Sequence, residues 1–275
     1  MISKMKVGFI GAGNMAQMII AGLCQSVYSM TPENIYFYNP TVEKRKYIAE
    51  RYHITALESS REIYENCDIV VLAIKPQMFQ SVCDVLNDVL MTRASKPLVL
   101  SIMAGITLEK LEGVVLHDRI VRIMPNTSAS VGKSMTTLSE RGHLSEEDRK
   151  NTEAIFSAIG EILWVEEKYL DITSAINGTS PAFLYLIAEA LAEGAVRNGL
   201  ARGLAEKLIA ETFIGVGTML KESQKSSFTL KNEVSSPGGM TMRGLEVLEA
   251  HHLRYALMEA LTKAKEHSER LGKEA

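Results

Sequence analysis

The chain has 275 residues, of which 46% are hydrophobic and 23% charged, and its formal net charge at pH 7 is −3. These values are typical of a folded protein with one large domain or two ordinary ones. They exclude a strongly basic surface, so we expect no nucleic-acid partner and no membrane partner.

The three cysteines, Cys24, Cys67 and Cys83, are scattered along the chain. Their odd number and their spacing match neither a disulfide framework nor a metal site. The first residues lack the pattern of a signal peptide, and no run approaches the ~18 apolar residues of a membrane-spanning helix. We therefore predict a cytoplasmic protein without a metal.

The first part of the chain alternates short apolar runs with helix-like segments. The runs are KVGFI, NIYFYN, DIVVLAI, PLVLSIM, RIVRIM and, after a further helix, EILWVE. The helix candidates are Asn14–Tyr28, Val42–Tyr52, Gln77–Leu90, Leu108–Val114 and Ser145–Ala158, the last of which opens with a capping pattern. Apolar runs without alternation are typical of strands that are buried on both faces. The order predicts a Rossmann-type parallel sheet in residues 1–165.

The rest of the chain, residues 166–275, contains only helical patterns. The three segments begin at Asp171, Ala201 and Met242, and Pro181 lies near the start of the first or at a kink. These helices are apolar over more than one face. Either a central buried helix or a dimer interface explains that. We predict an all-α domain that forms a homodimer or a larger homo-oligomer.

A glycine-rich turn follows the first predicted strand. Gly11, Gly13 and Ala16 form the pattern G-x-G-x-x-A between a strand and a helix. Such a turn lets a pyrophosphate reach the backbone and the positive end of a helix. A plain tight turn is the alternative. The predicted cofactor-binding residues here are Gly11, Ala12, Gly13, Asn14, Met15 and Ala16.

The end of the second predicted strand bears on which dinucleotide binds. NAD sites usually have a carboxylate there, whereas this chain has Asn39, followed by Thr41, Lys44 and Arg45. Amide, hydroxyl and cationic groups tolerate a 2′-phosphate. We therefore expect a preference for NADP(H) and leave NAD(H) open. The alternative is that Lys44 and Arg45 are solvated helix residues.

Three later loops also follow predicted strands. Since ligands bind at the carboxyl ends of strands in such sheets, we assign further cofactor contacts to them. These contacts are Ala73, Ile74, Lys75, Pro76, Met103, Ala104 and Gly105. Asn126, in the loop after the fifth strand, is either a ligand of the nicotinamide or substrate or a simple turn residue.

The segment SSPGGMT, residues 235–241, precedes the last long helix. Ser235 and Ser236 have side chains that can cap a helix, and Pro237 with two glycines forces a turn. The amides and the Thr241 hydroxyl at such a helix start suit an anion. A well-capped helix without a ligand is the alternative.

Taken together, the segments FIGAGNMA, AIKPQ, MPNTSASVG, SPAF and SSPGGMTMRGLEVLE resemble the pyrroline-5-carboxylate reductase family. The motifs occur in the family's order along the chain. The resemblance implies a Rossmann domain followed by a dimerising all-α domain. It implies hydride transfer from NAD(P)H to the C=N carbon of 1-pyrroline-5-carboxylate, which gives L-proline.

The resemblance also assigns the substrate site. The substrate carboxylate would bind at Gly239, Met240 and Thr241, with further contacts from Asn126 and Asn177. Thr241 and Thr179 would be the catalytic hydroxyls, Thr179 as a proton relay and Thr241 chiefly as a carboxylate ligand.

The chain departs from the family pattern at several positions. It has NGTSPA at residues 177–182 where the family usually has SGSGPA, and Met240 where Thr or Ala is usual. It also lacks the proline after Asn126-Thr127, and the usual acid before the last motif falls at Gln224, beside Glu222. These changes leave room for a dinucleotide-binding paralogue that acts on another imine or regulates without catalysis. A β-hydroxyacid dehydrogenase is a second alternative, but Lys207 and Lys221 lack the Asn partner which that chemistry needs.

Overall fold

The structure is a computed structural model and describes residues 4–25, 30–80, 82, 89, 93 and 95–274. It divides into two units. One contains the residues up to Gly178 together with those from Ala264 onward, and the other is Thr179–Lys263. The domain boundary expected at residue 165 stays a prediction.

The first unit contains an eight-stranded sheet with the order β3-β2-β1-β4-β5-β6-β7-β8. The strands are β1 Val7–Ile10, β2 Ile35–Tyr38, β3 Thr55–Ala56, β4 Ile69–Leu72, β5 Leu98–Ser101, β6 Ile120–Met124, β7 Ser134–Ser139 and β8 Gly160–Trp164. The first six strands of that order are parallel. The predicted Rossmann-type sheet followed by a helical region is confirmed.

The last two strands run opposite to the other six, which the sequence analysis did not anticipate. β7 pairs antiparallel to β6, and β8 pairs parallel to β7. Only the short segment 125–133, with its 3-10 turn Thr127–Val131, joins β6 to β7. A connection of this length permits an antiparallel neighbour, whereas a parallel one needs a longer crossover.

The central strands are buried on both faces. Every residue of β1, β4 and β5 is buried, as their unbroken apolar runs predicted. Phe9 and Val71 contribute to the apolar core on one face of the sheet. Ile10 and Val70 contribute to the core on the other.

Six helices whose bounds fall within the described residues lie entirely in the first unit. They are α1 Asn14–Gln25, α2 Val42–Tyr52, α3 Ser60–Asn66, α4 Leu108–Val115, α5 Glu146–Ser157 and α6 Leu170–Ser174. The Ser145 hydroxyl accepts from the Asp148 amide at 3.1 Å, so the predicted cap of α5 is confirmed. β3 and α3 were not predicted. Most of the second half of the expected helix Gln77–Leu90, and residues 26–29 of the first, lie outside the described residues.

The remaining helices are α7 Ser180–Arg197, α8 Arg202–Glu222, α9 Ser227–Glu233, α10 Met240–Ala250 and α11 Leu253–Glu274. Pro181 lies in the first turn of α7, as predicted. A π-helical turn, Ala175–Thr179, precedes it. The single long helix expected from Met242 onward is wrong, because His252 has a positive φ of 56° and separates α10 from α11. Within the described part of the chain, no helix has the length and apolar character needed to cross a membrane.

Candidate active site

Main-chain hydrogen bonds bring the predicted loops of the first unit to one edge of the sheet. The Gly11 amide donates to the Tyr38 carbonyl at 2.9 Å, and the Ala73 amide donates to the Ile10 carbonyl at 2.8 Å. On either side, the Leu57 amide donates to the Phe37 carbonyl in β2, and the Ile102 amide donates to the Leu72 carbonyl in β4. The carboxyl ends of β3, β2, β1, β4 and β5 therefore lie side by side, where open α/β sheets bind their ligands.

Gly11 is required by the close approach of two loops. Its φ is +93°, and a Cβ atom there would lie 2.4 Å from the Ala73 carbonyl oxygen. No side chain fits such a gap, and the left-handed conformation itself favours glycine. Gly11 therefore joins the turn after β1 to the loop after β4.

Gly13 differs from Gly11, because nothing in the fold requires its lack of a side chain. A Cβ atom there would have no neighbour within 4 Å, and the residue is exposed. The Gln17 amide donates to the Gly13 carbonyl at 3.0 Å, which is the first hydrogen bond of α1. The preceding amides, of residues 14–16, have no acceptor within the helix. The position is thus open for an anion at the positive end of α1.

Ala16 completes this turn by packing inward. It is 1% exposed and belongs to the core between α1 and the sheet. A small residue here lets α1 lie close to the strands.

A preformed polar loop follows β2. The Asn39 side-chain oxygen accepts from the Thr41 amide at 3.1 Å, and the Arg45 guanidinium donates to the Asn39 carbonyl at 2.9 Å. Arg45 also pairs with Glu58 at 2.6 Å, and its side chain is only 12% exposed. Arg45 is therefore held in this loop, whereas Lys44 is exposed. The structure therefore brings Arg45 to Asn39 at the carboxyl end of β2.

The loops after β4 and β5 complete this edge. Ala73 and Ile74 are half-buried, Lys75 is exposed, and Pro76 begins the short 3-10 turn Pro76–Met78. In the second loop, Ala104 is half-buried, Gly105 has a φ of +77°, and Met103 is 1% exposed. The Met103 side chain belongs to the core. Any contact it makes with a cofactor must therefore come from its backbone.

Asn126 and Asn177 are linked to each other. The Asn126 amide group donates to the Asn177 carbonyl at 2.8 Å, and its oxygen accepts from the Ser128 amide at 3.1 Å. The Asn177 amide group donates to the carbonyls of Met124 and Met135, at 2.9 and 2.8 Å. Both side chains are buried and act inside the fold. They hold the π-helical turn to the ends of β6 and β7.

Each asparagine has one side-chain hydrogen-bonding group without a partner, although both side chains are largely buried. The side-chain oxygen of Asn177 is buried and has no hydrogen-bond partner. Asn126 retains one side-chain N–H after the two contacts above, and it is 8% exposed. Thr179 ends the π-helical turn and is exposed. π-helical turns occur frequently at functional sites.

The predicted carboxylate site lies at the start of α10 in the second unit. Gly238 has a φ of +71°, and the Gly239 amide donates to the Ser236 carbonyl at 3.0 Å. A Cβ atom on Gly239 would lie 2.5 Å from the Ser236 hydroxyl oxygen, which would have to rotate away, and 3.1 Å from the Ser236 carbonyl oxygen. Thr241 lies exposed in the first turn of the helix.

The expected capping by Ser235 and Ser236 is wrong. Gly239 occupies the cap position of α10 and no side chain caps it, while the Ser235 hydroxyl donates to the Lys231 carbonyl at 2.6 Å. The first hydrogen bond of the helix joins the Arg243 amide to the Gly239 carbonyl at 3.4 Å. The amides of Met240 and Thr241 thus precede it, and Met240 is 93% exposed. The helix start is open to an anion.

One polar residue of this edge was missed by the sequence analysis. Glu58, which pairs with Arg45, follows the two-residue strand β3, and that strand is too short to give a periodic signal. The alternating segment HITA was the only indication that the chain returns to the sheet here. Among the described residues, no group of three or more His, Cys, Asp or Glu could hold a metal ion.

The sheet and its glycine turn define a dinucleotide-dependent oxidoreductase. In agreement, residues 6–105 match the family model described as NADP oxidoreductase, coenzyme F420-dependent. Residues 167–271 match the model described as pyrroline-5-carboxylate reductase dimerisation.

The chain is also similar to individual proteins over nearly its whole length. It is 35% identical to a pyrroline-5-carboxylate reductase of Synechocystis, covering 98% of this chain and 99% of that one. It is 36% identical to that of Escherichia coli, covering 98% of each. The structure resembles that of Plasmodium falciparum pyrroline carboxylate reductase with NADP bound, with a TM-score of 0.88, 33% identity and coverage of 98% and 99%. The chain belongs to the pyrroline-5-carboxylate reductase family.

Proposed function

We propose that this protein reduces 1-pyrroline-5-carboxylate to L-proline with NADPH. The observation that carries the proposal is a glycine immediately before each of two helices in a member of this family: Gly13, where a Cβ would meet no neighbour, and Gly239, whose helix has no side-chain cap. Each offers backbone amides to one anion of the reaction: the cofactor pyrophosphate and the substrate carboxylate.

The residues of the first site fit a dinucleotide. Gly13 leaves the α1 amides open to a phosphate, and Arg45 is held beside Asn39, where the adenosine ribose of a dinucleotide would lie. Since no carboxylate follows β2 directly and a guanidinium is present, the site favours the 2′-phosphate of NADPH. NADH has the same pyrophosphate and remains a weaker alternative. When bound, the nicotinamide supplies the hydride that is added to the imine carbon.

The residues at the start of α10 bind and orient the substrate. The amide of Met240 and the amide and hydroxyl of Thr241 donate to the carboxylate, which the positive helix end also attracts. The Gly239 amide, the other expected donor, already donates to the Ser236 carbonyl. Fixing the carboxylate orients the ring, and orientation is the main contribution a protein can make when a cofactor performs the chemistry.

A proton must reach the imine nitrogen, and the predicted site residues offer hydroxyls for this. A protonated iminium accepts hydride better than the neutral imine, so binding the protonated form needs no strong acid from the protein. Thr179, exposed at the end of the π-helical turn, is the proposed relay. Asn177 and Asn126 position that turn, and Asn126 has one N–H left for the nicotinamide amide or the substrate.

A homodimer follows from the surface of the second unit. Among its described residues the only buried hydrophobic side chains are Ala192 and Ala205. Large apolar side chains on α7 and α8 are instead exposed, among them Leu191, Leu208 and Ile214. Exposed apolar surface of this extent marks an interface. The cytoplasmic location is a further proposal, supported by the free thiols of Cys24 and Cys67, while Cys83 lies outside the described residues.

The test is an absorbance assay of nicotinamide oxidation with purified protein. With NADPH and 1-pyrroline-5-carboxylate we expect turnover and the formation of proline, and a lower rate with NADH at limiting cofactor concentration. Oxidation of 3-hydroxyacids without reduction of the imine would favour a dehydrogenase instead. Nucleotide binding without turnover would favour a non-catalytic paralogue.

A further inference from the structure

The ion pair between Arg45 and Glu58 lies at the cofactor edge of the sheet, and neither residue belongs to the hydrophobic cores. Glu58 follows β3, which pairs with β2, and Arg45 follows β2 in the first turns of α2. The Leu57 amide donates to the Phe37 carbonyl at 2.9 Å, which holds the residue before Glu58 in register with the end of β2. The pairing of β3 with β2 therefore positions Glu58 near the carboxyl end of β2.

The two side chains of the ion pair differ in how exposed they are and in how firmly they are held. The Arg45 side chain is 12% exposed and is held by the Asn39 carbonyl, while the Glu58 side chain is 77% exposed. Their nitrogen and oxygen atoms are 2.6 Å apart. A carboxylate that is this exposed can leave its partner at little cost, since exposed ion pairs contribute about 0–1 kcal/mol.

We propose that Glu58 tempers the preference of this enzyme for NADPH by competing with the 2′-phosphate for Arg45. The inference rests on the proposed function, because it concerns the same nucleotide site. Glu58 and the phosphate are both anions that pair with one guanidinium. Binding of NADPH must either displace the carboxylate or place two negative groups side by side, whereas NADH has only hydroxyls there.

The surroundings support competition. Three cations, Lys44, Arg45 and Lys46, lie in the first turns of α2, and Glu43 adds a negative charge there. On the other side, Glu62 accepts hydrogen bonds from the Glu58 amide, at 3.4 Å, and the Ser59 hydroxyl, at 3.1 Å. With Glu58 present, the three carboxylates of this group balance the three cations. Removing the charge of Glu58 leaves the cations in excess, which favours an added phosphate.

The variant Glu58→Gln tests the proposal, and Glu65→Gln is its matched control. Both remove a charge and keep the side-chain shape, and Glu65 also forms an exposed pair with an arginine, Arg61, at 3.6 Å on α3. Dissociation constants for NADPH and NADH are measured with each protein by isothermal titration calorimetry. Thermal unfolding checks that the variants remain folded.

We expect Glu58→Gln to bind NADPH about two- to fivefold more tightly and NADH almost unchanged, which is the size of effect an exposed charge pair exerts. Since the effect is electrostatic, the gain should shrink as the salt concentration rises. Glu65→Gln should behave as the unchanged protein. Weaker binding of NADPH by Glu58→Gln would show that Glu58 holds Arg45 in place and would overturn the proposal. An equal change for both nucleotides would overturn it as well.

The measurements distinguish a failure of this proposal from a failure of the proposed function. Tighter NADPH binding by Glu58→Gln in a protein that does not reduce the imine supports the competition and contradicts the reductase. Imine reduction with no effect of Glu58→Gln on either nucleotide contradicts only the competition.

Discussion

At the scale of single residues, the two glycines of the first turn serve different purposes, and this difference is measurable. A Cβ atom on Gly13 would contact nothing in the protein, and its φ is not positive, so Gly13→Ala should leave the unfolding temperature unchanged. The added methyl group would stand where a phosphate approaches, and we expect NADPH to bind about tenfold more weakly, or ~1.4 kcal/mol.

Two other alanine substitutions provide the controls. Gly113→Ala, on the open face of α4, should leave NADPH binding unchanged. Gly11→Ala should destabilise the fold by about 1–3 kcal/mol, because its Cβ would meet the Ala73 carbonyl. If Gly13→Ala binds NADPH normally, the pyrophosphate does not bind at this turn.

The proposed binding of the substrate carboxylate at the start of α10 can be tested at Thr241. Thr241→Ala removes a hydroxyl from the exposed start of α10, and it should raise the KM for 1-pyrroline-5-carboxylate more than it lowers kcat. A hydrogen bond to a charged group contributes about 1.5–3 kcal/mol, which corresponds to about 10- to 100-fold. Steady-state kinetics with saturating NADPH measure this. Thr241→Ser should restore most of the affinity, and a KM unaffected by Thr241→Ala would refute the assignment.

At the scale of elements, the turn between α4 and β6 makes the stability of the fold depend on pH. The His117 Nδ1 atom accepts from the Arg119 amide at 3.2 Å, and Nε2 lies 3.2 Å from the Tyr64 hydroxyl. An accepting Nδ1 requires the neutral ring. Burial, with the positive charges of Arg119 and Lys96, lowers the pKa of His117 to about 4.

A folded-state pKa below the unfolded value of about 6.5 fixes the sign of the effect. The contribution of neutral His117 is complete above pH 6.5 and is lost as the pH falls towards 4. His117→Asn keeps an acceptor without this titration, so its free energy of unfolding should fall less over that interval. Urea unfolding at several pH values measures the difference. Parallel curves for the two proteins would show that His117 does not titrate in this way.

The elements also show what the sequence can predict. β1, β4 and β5 were recognisable because burial on both faces demands an unbroken apolar run. β7, SMTTLS, was not, because its buried positions carry hydroxyls, such as Ser134 and Thr136, which bond to each other at 3.1 Å. Polar side chains that are satisfied inside the fold give no hydrophobic pattern.

In the candidate site, too, some features could be predicted from the sequence and others could not. The glycine turns at Gly11 and Gly238 were predictable because a local backbone conformation demands glycine. The bonds of Asn177 were not, because its acceptors lie 53 and 42 residues away in the sequence. In the sequence, an asparagine that bonds to distant strands cannot be told from an asparagine that binds a ligand. Only the fold distinguishes the two.

At the scale of the whole molecule, the exposed apolar side chains of α8 predict self-association. Leu208 is 53% exposed in the single chain, and Leu208→Lys would place a charge in the proposed interface. Sedimentation velocity should then show a shift towards the monomer. Leu163→Lys is the control, because Leu163 is 49% exposed on the edge strand β8 of the other unit. If Leu208→Lys leaves the oligomer intact, this face of α8 is not the interface.

The whole molecule is proposed to transfer a hydride from NADPH to the imine carbon of 1-pyrroline-5-carboxylate. The most direct measurement uses NADPH with both hydrogens at C4 of the nicotinamide replaced by deuterium, followed by mass spectrometry of the product. We expect proline that carries one deuterium, at the former imine carbon. Unlabelled proline, or no proline from a protein that binds the nucleotide, would contradict it.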